Sequence, residues 1–415
     1  MTLRPESLHD DEFARQPAPA WRRLRDEAPV YHDPIDAVVV LSRHDDVRWA
    51  FTEAPGLSNR VYARTVGKVF GESMLQMDGF DHVQRRKIVA PQMMGNRLAS
   101  YREIIQDVAQ EIAAAAADSD QFDLVAEVSG RMPGTVICTM LGLPVADQPR
   151  FFEWYNAMMA GLWKDAELRR LGRVAHLEFQ DYLKPIIVER TARPGDDLIS
   201  RLLHADVDGE RLEPHDVGSF ISLLLTAGGE TTDKAIANLW WLLMTHPDEY
   251  RACHEDPERL ELVFSETMRL FPSLLYLGRE ATQDLQRHDV DIPAGSVVRL
   301  NVGSANRDER VFADPDRFWP DRPDLHRGRE LRSAQLGEDG RSGHLAFGAG
   351  AHFCIGYELA RFETIAVSRS LLEHLGPSPR VVSTSAPSAR PPAWVLDELV
   401  IRPTASRTGR AARPS

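Results

Sequence analysis

One cysteine stands in a run of small residues that could place its sulfur on a metal. The run from Phe347 to Gly356 reads Phe-Gly-Ala-Gly-Ala-His-Phe-Cys-Ile-Gly, and a helical pattern begins at Tyr357. Glycines let the backbone turn sharply and approach a flat partner closely. At a helix start, free N–H groups and the positive end of the dipole stabilise a thiolate, the form in which Cys354 would bind metal. Such a lone thiolate suits the axial bond of a haem iron. The alternative is a buried free cysteine in a glycine-rich turn.

A second group of polar side chains interrupts the longest apolar helix. Residues 214–246 have the pattern of one helix through the core, with proline in the first turn and Pro247 beyond the end. The middle reads Ala227-Gly228-Gly229-Glu230-Thr231-Thr232. Glycines weaken a helix by roughly 1 kcal/mol each, and buried polar side chains need partners. We expect Thr231 to bond back to the Ala227 carbonyl and open a notch for a small ligand, beside an acid that can deliver protons. A capped or kinked junction between two helices is the alternative.

These motifs resemble the cytochrome P-450 family. The cysteine run fits the family pattern Phe-x-x-Gly-x-x-x-Cys-x-Gly at Phe347, Gly350, Cys354 and Gly356. The matching motifs cover nearly the whole chain in the right order. The resemblance implies a mainly α fold with a minor β part (α+β), with haem between the long central helix and the cysteine loop. It also implies one catalytic domain over residues 1–403, with a small β-rich N-terminal part, and a disordered tail over 404–415.

The resemblance also assigns roles to the matching residues. Cys354 would be the axial ligand of the haem iron, and Ala227 and Gly228 would border an oxygen-binding groove. Thr231 would hold dioxygen and its water by hydrogen bonds. Glu230 would relay protons from solvent so that the O–O bond breaks.

The two propionates of a haem need cationic or donor partners. His82 and Arg86 match the family's His-x-x-x-Arg pattern on a predicted helix. Arg279 matches the arginine of a strand that follows the next motif, and His352 lies inside the cysteine loop. These four residues are therefore expected to bind the propionates; each would otherwise be an exposed charge.

A buried ion pair is expected near the cysteine loop. Glu266 and Arg269 stand three apart in an apolar segment, so they share one helix face. The spacing matches the family's Glu-x-x-Arg motif, and Arg322 would be the third partner. A Glu-x-x-Arg spacing is common by itself. We expect folding and haem retention to depend on the pair, because breaking a buried pair costs several kcal/mol.

Composition excludes several classes of protein. The net charge of −13 argues against a nucleic-acid binder and against docking on anionic lipid. Cys138, Cys253 and Cys354 are odd in number and far apart, which argues against disulfides and against zinc or iron–sulfur sites. No apolar signal segment opens the chain, and the longest apolar run, 217–229, is too short to cross a membrane. The chain is therefore predicted to be soluble and cytoplasmic.

The chain carries no recognisable flavin or iron–sulfur module. The resemblance therefore implies that electrons come from NAD(P)H through a separate ferredoxin reductase and ferredoxin. Arginines in the segment 325–343, with Lys87 and Arg361, are expected to form a basic patch that docks an acidic ferredoxin; those arginines are Arg327, Arg329, Arg332 and Arg341. A solvated loop is the alternative.

The substrate is expected to be a mainly hydrophobic small molecule of secondary metabolism. Its contacts should come from apolar segments at 60–76, 158–168, 220–227, 273–277 and 392–396, with aromatic walls at Tyr62, Trp163, Tyr276 and Trp394. A carrier-bound substrate is the next candidate. The resemblance implies that the chain binds haem b and hydroxylates the substrate with one atom of O2. Cyclisation, coupling, desaturation, peroxide-driven oxidation, a haem-thiolate sensor and a helical scaffold without haem remain alternatives.

Hydrophobic periodicity predicts the remaining elements. Helices are predicted over 21–27, 45–52, 97–117, 122–142, 147–163, 165–191 and 196–204. Strands are predicted over 38–41, 290–295 and 297–302, the last two joined by a turn.

Overall fold

The structure is a computed structural model that describes residues 8–162, 165–326, 332 and 334–404. Helices make up most of this part of the chain, and short strands form small sheets. The predicted class, mainly α with a minor β part, is confirmed. The tail predicted to be disordered lies outside the described residues beyond Thr404.

The helices are α1 (Asp11–Arg15), α2 (Ala18–Glu27), α3 (His44–Thr52), α4 (Val66–Phe70), α5 (Gly79–Val89), α6 (Gly95–Ala99), α7 (Arg102–Ala117), α8 (Met132–Met140), α9 (Gln148–Ala160), α10 (Ala166–Ala192), α11 (Leu198–Leu203), α12 (Pro214–Thr245), α13 (Pro247–Glu255), α14 (Leu260–Leu270), α15 (Val302–Ala305) and α16 (Tyr357–Leu375). The strands are β1 (Val30–Asp33), β2 (Val38–Leu41), β3 (Leu57–Ser58), β4 (Phe122–Asp123), β5 (Tyr276–Ala281), β6 (Leu285–Arg287), β7 (Val290–Ile292), β8 (Val297–Asn301), β9 (Arg380–Thr384), β10 (Ser388–Arg390), β11 (Ala393–Val395) and β12 (Leu399–Arg402). None of these described helices has the length and apolar character that spanning a membrane requires.

Helix α12 runs through the core, as its sequence predicts. Pro214 occupies the first turn, where its missing N–H costs nothing, and the side chains of Glu213 and Asp216 cap that turn. The helix ends at Thr245, one residue before the predicted end. Its residues are buried on all sides over most of its length, and the Trp240 indole donates to the Ser368 hydroxyl of α16 at 3.0 Å. The glycine pair does not break the helix, whose backbone is helical throughout.

The main sheet joins the start of the chain to the segment after α14. Its strand order is β1-β2-β8-β5-β3. Strands β2 and β8 are parallel, and β5 pairs antiparallel with β8, so that Arg279 lies opposite Val298. Helix α3 packs on this sheet through Val47, Ala50 and Phe51. The sheet therefore fixes the positions of both Arg279 and the end of α3.

The strands predicted at 290–295 and 297–302 are present as β7 and β8, and a turn joins them as predicted, although both strands end earlier than expected. Strand β7 pairs with β6. His288 and Asp289 have φ values of 50° and 59°, the conformation that closes a two-residue hairpin turn. This local turn makes β6 and β7 a hairpin.

The predicted helix over 122–142 is divided into three parts. Phe122 and Asp123 form β4, which pairs with β12, and a turn of wider helix spans Val125–Ser129. The Asp123 carboxylate accepts from the amides of Val125 and Leu399, which fixes the strand end. Pro133 then lies in the first turn of α8. A strand partner far along the chain cannot be detected from local periodicity.

One residue predicted as a substrate wall, Trp394, lies in the core, and another, Tyr276, packs against the same core cluster. Trp394 is buried and packs edge-on against Trp21 and Phe271, with ring centroids 6.1 and 5.0 Å away. Tyr276 packs against the same cluster, with the Arg299 guanidinium 5.1 Å from its ring centre. Trp163 lies outside the described residues.

Candidate active site

The loop before α16 is bent by two glycines in the left-handed region. Gly348 and Gly350 have φ values of 68° and 67°, which cost an L side chain energy. A Cβ on Gly350 would also lie 2.9 Å from the Phe51 carbonyl oxygen. The Cys354 N–H donates to the Phe347 carbonyl at 2.9 Å, which closes the loop. The bend directs the chain from the end of α3 to the start of α16, with Cys354 at the turn.

Burial and hydrogen bonding have opposite effects on the Cys354 sulfur. Burial raises the pKa of the thiol, and the N–H groups of Gly356 and Tyr357 and the charge of Arg86 lower it. The net direction is upward, so the protein alone does not favour a thiolate as strongly as the helix start suggested. A coordinated metal deprotonates such a thiol outright. The N–H donors of this loop would therefore stabilise the Cys354 sulfur once metal binding has ionised it.

Arg86 and the aromatic rings of the loop surround the cysteine. Arg86 lies on α5, and its Nη2 donates to the Phe353 carbonyl at 2.5 Å. Burial lowers its pKa. Phe347 packs edge-on against Tyr357, with ring centroids 4.9 Å apart. The structure thus brings together Phe347, Gly350, Cys354, Gly356 and Arg86.

Arg279 is a buried cation on the adjacent sheet. Only 5% of its surface is exposed, and burial lowers its pKa. Its Nη1 donates to the Gly278 carbonyl at 2.8 Å, and its guanidinium lies 5.1 Å from the Phe51 ring centre. Tyr62 also hydrogen-bonds to it, and Asp78 attracts it from farther away. Among the described residues, no carboxylate lies within ion-pair distance of Arg279 or Arg86.

The two predicted histidines are stacked. The ring centroids of His82 and His352 lie 3.9 Å apart, with 29° between the planes. Burial, followed by the charge of His352, lowers the pKa of His82 to about 4. Sequence reasoning missed two residues that hold His352: Asn59 contacts Nδ1 at 2.7 Å and Asp78 contacts Nε2 at 3.3 Å. They lie far from His352 in sequence, so no local signal points to them.

The second group of predicted residues lies in the middle of α12. The Thr231 hydroxyl donates to the Ala227 carbonyl at 2.7 Å, the bond that the sequence predicts. The Thr231 carbonyl in turn accepts from the Ser273 hydroxyl at 2.6 Å. Ala227 is exposed, and Gly228 and Thr231 are half-buried, in a helix whose flanking residues are buried. This short stretch of α12 thus presents backbone and a hydroxyl to an accessible space.

Glu230 forms an ion pair that the sequence analysis did not consider. Its Oε1 lies 2.5 Å from the Lys234 Nζ, one helical turn farther along α12. The spacing of four residues, acid before base, was the available signal. The ring of Tyr155 packs over the neighbouring Gly229, where a Cβ would lie 2.9 Å from it.

Glu266, Arg269 and Arg322 form one buried cluster, and all three side chains have no exposed surface. Arg269 contacts both carboxylate oxygens at 2.8 Å, and the Arg322 Nε lies 3.0 Å from Oε2. The Trp319 N–H also donates to Oε1 at 3.0 Å. Arg269 further donates to the carbonyls of Asn306 and Pro315. The cluster ties α14 to the segment that precedes the cysteine loop.

The predicted basic patch is only partly as expected. Arg361 is engaged by Glu261 and Glu358, so its charge is largely neutralised. Lys87 and Arg332 are exposed, and the Arg332 guanidinium lies 5.5 Å from the Phe353 ring centre. Arg341 lies 3.9 Å from Asp339. Arg327 and Arg329 lie outside the described residues.

Comparison with known proteins identifies the family. The family description "Cytochrome P450" matches residues 34–381 of this chain. Cytochrome P450 123 of Mycobacterium tuberculosis is 33% identical over 373 residues, which cover 88% of this chain and 89% of that protein. The erythromycin C-12 hydroxylase of Saccharopolyspora erythraea is 32% identical over 358 residues, 85% of each chain. The solved structure of CYP109Q5 from Chondromyces apiculatus has a TM-score of 0.84 at 31% identity, covering 96% of this chain and 97% of that one.

Sequence, fold and loop geometry therefore agree. The family match covers most of the chain, and the relatives are similar over nearly their whole length. The chain belongs to the cytochrome P450 family and is a haem-dependent monooxygenase.

Proposed function

We propose that this monooxygenase hydroxylates a mainly hydrophobic small molecule of secondary metabolism, using O2 and electrons from NAD(P)H through a ferredoxin reductase and a ferredoxin. The observation that carries the proposal is that a carboxylate and a hydroxyl stand at adjacent positions, Glu230 and Thr231, on the accessible stretch of α12. Proton delivery needs an acid beside a hydroxyl in a site that is otherwise apolar. A cytoplasmic setting suits the three free cysteines.

The residues around Cys354 fit haem b. Cys354 would bind the haem iron through a sulfur that two N–H donors stabilise, and Arg86 and Arg279 offer guanidinium groups that lack a carboxylate partner among the described residues. Guanidinium groups bind carboxylates strongly, so these two arginines would hold the propionates, with His82 and His352 beside them. Bound haem supplies the reductive activation of O2 and the insertion of one oxygen atom into the substrate.

Thr231 and Glu230 would then control water and protons. The Thr231 hydroxyl is oriented by its bond to the Ala227 carbonyl, which leaves its oxygen lone pairs free to accept from a water. The Glu230 side chain is 34% exposed, so water can reach its carboxylate. Protons would pass from solvent to Glu230 and through ordered water to the hydroxyl. Ala227 would leave room for this water, because it is exposed and carries only a methyl group.

Thr231→Ala should separate electron use from product formation. Without the hydroxyl, proton delivery would no longer be directed. We therefore expect several-fold more hydrogen peroxide per NAD(P)H, while haem content stays normal. Thr245→Ala is a matched control, because the Thr245 hydroxyl makes the same bond one turn back, to Trp241 at 2.8 Å. Fully coupled turnover in Thr231→Ala would contradict the assignment.

The substrate class can be found by spectroscopy. The erythromycin C-12 hydroxylase shows that a relative of this chain acts on an erythromycin. Titration of the haem Soret band with terpenoid, polyketide and aromatic compounds should show a low-to-high-spin shift for the matching class. Product analysis with that compound then distinguishes hydroxylation from cyclisation, coupling or desaturation. A compound presented on a carrier protein is the next probe if no free compound shifts the band.

The ferredoxin is proposed to dock beside the start of α16. A concave site of about 490 Å³ lies there, lined by Met94, Leu98, Arg102, Arg332, Tyr357 and Phe362 among others. Arg102 and Arg332 are exposed and form no ion pair with another described residue. Helix α16 begins three residues after Cys354, so a partner at this site would be close to the sulfur. An acidic surface would complement it.

Reversing these charges should slow electron transfer. We expect Arg102→Glu with Arg332→Glu to lower the second-order rate of reduction by a plant-type ferredoxin at least about tenfold at low salt, with a smaller effect at high salt. Lys184→Glu, on the exposed face of α10, is the control. An unchanged low-salt rate would contradict this docking site.

A further inference from the structure

Lys234 is unusual in both residue type and position. Only five of the 49 lysines and arginines are lysines. Of the lysines that the structure describes, Lys234 is the buried one, with 9% of its surface exposed. It lies in the middle of α12, where a cation needs an anionic partner. Glu230 supplies that partner at 2.5 Å. The two side chains therefore form a partly buried pair, and Lys234 lies three residues after Thr231.

The ion pair turns Glu230 away from Thr231. Glu230 reaches one turn toward the C-terminus of α12, to Lys234, whereas the Thr231 hydroxyl reaches one turn toward the N-terminus, to Ala227. The acid and the hydroxyl thus point in opposite directions along the helix. The Glu230 carboxylate is held where water reaches it, since its side chain is 34% exposed and that of Lys234 is 11% exposed.

A second carboxylate, that of Asp233, lies close enough to be stabilised by the charge of the same cation. Asp233 accepts from the Ser129 hydroxyl at 2.5 Å. Burial raises the pKa of Asp233, Ser129 and Lys234 lower it, and Glu230 raises it. The Tyr155 ring closes the other side, and its pKa is raised by burial and by both carboxylates. Lys234 is the cation, among the described residues, that acts on both acids.

We propose that Lys234 is a positioning residue that fixes the carboxylate of Glu230 at the water-accessible entrance of the proton path. This inference rests on the proposed role of Glu230. Without the ammonium, the repulsion between Glu230 and Asp233 would no longer be offset, and the Glu230 carboxylate would lose its fixed position. Proton supply to Thr231 would then become slower and less directed. Lysine suits this task because its ammonium is a compact charge on a flexible stem.

The test is a double-mutant cycle with Lys234→Met, Glu230→Gln and the double variant. Each holoprotein is reduced through a plant-type ferredoxin and its reductase with the compound that gives the largest Soret shift. We expect Lys234→Met to raise peroxide per NAD(P)H several-fold and the D2O solvent isotope effect on turnover at least twofold. Lys234→Arg should restore both values, because it keeps the charge. The double variant should match Glu230→Gln, because Lys234 acts only through Glu230.

A measurement without turnover checks the same pair. Denaturant unfolding of the four proteins should show a pairwise coupling at neutral pH that disappears in acid, where carboxylates are protonated. Lys184→Met is the control, because Lys184 pairs with Asp181 on the exposed face of α10. If Lys234→Met does not retain haem, Lys234→Gln is used in its place.

The outcomes separate this inference from the proposed function. If Glu230→Gln shows a normal isotope effect and normal coupling of electrons to product, Glu230 does not relay protons. The inference about Lys234 would then be wrong as well. A strong effect in Glu230→Gln with no change in Lys234→Met or Lys234→Gln would overturn the inference alone. Effects of Lys234 and Glu230 that add in the double variant would overturn it as well.

Discussion

Cys354→Ala will abolish the thiolate spectrum of the reduced CO complex and reduce O2-dependent turnover to background. Cys354 supplies the sulfur of the loop, and the N–H groups of Gly356 and Tyr357 and the charge of Arg86 favour its ionised form. No other side chain of the loop can provide an anionic sulfur. Since Cys354 is the proposed ligand of the haem iron, and that ligand controls the electron density on the iron, we expect the loss to be complete rather than partial.

The measurement is the reduced CO difference spectrum, together with haem content. Cys253→Ala is the matched control, since Cys253 is a free cysteine buried in α13. Burial raises the pKa of its thiol to about 12, as expected for a cysteine that only packs. The control should keep the full thiolate spectrum. A thiolate spectrum in Cys354→Ala would assign the ligand to another residue.

Arg269→Ala will destabilise the protein by about 3–5 kcal/mol, the cost of leaving a buried charge without its partner. Glu266 would keep Arg322 and the Trp319 N–H but lose both contacts at 2.8 Å. The carbonyls of Asn306 and Pro315 would lose their donor as well. A loss of this size is a large part of the stability of a typical domain, so the variant should accumulate poorly and retain little haem.

Urea unfolding followed by circular dichroism, with excess haem present in all samples, measures the effect. Haem must be held constant because a bound ligand shifts the apparent stability. Lys184→Ala is the control: the Lys184–Asp181 pair has side chains that are 72% and 71% exposed. Exposed pairs contribute little, so the midpoint of this control should not move. An equal midpoint for Arg269→Ala and the wild type would show that the cluster does not stabilise the fold.

The sequence predictions that are confirmed rest on patterns among neighbouring residues. Helix α12 is visible from its start at Pro214 and its apolar surface, and the Glu266–Arg269 spacing implies one helix face. The bond from Thr231 to Ala227 follows from the same helical geometry. The fold class and the family follow from such local signals, because each lies within a few neighbouring residues.

Contacts between distant segments could not be predicted in this way. The pairing of β4 with β12 divides an apparent helix, and Asn59 and Asp78 reach His352 from nearly three hundred residues away. Arg361 was expected to be a free surface charge, but Glu261 approaches it from another helix. In each case the deciding partner lies on an element whose position only the folded chain determines.

The glycine bend at Gly350 has a consequence for engineering this enzyme. Because the Phe51 carbonyl leaves no room for a Cβ there, the end of α3 lies directly against the cysteine loop. We therefore expect mutations in the small sheet that shift α3 to disturb Cys354, the proposed iron ligand, although they lie outside the helical core. Mutant libraries aimed at new substrates should leave residues 47–52 and 347–356 unchanged. Substitutions are better introduced where α12, α9 and α10 meet, because changes there leave the contact between α3 and the cysteine loop intact.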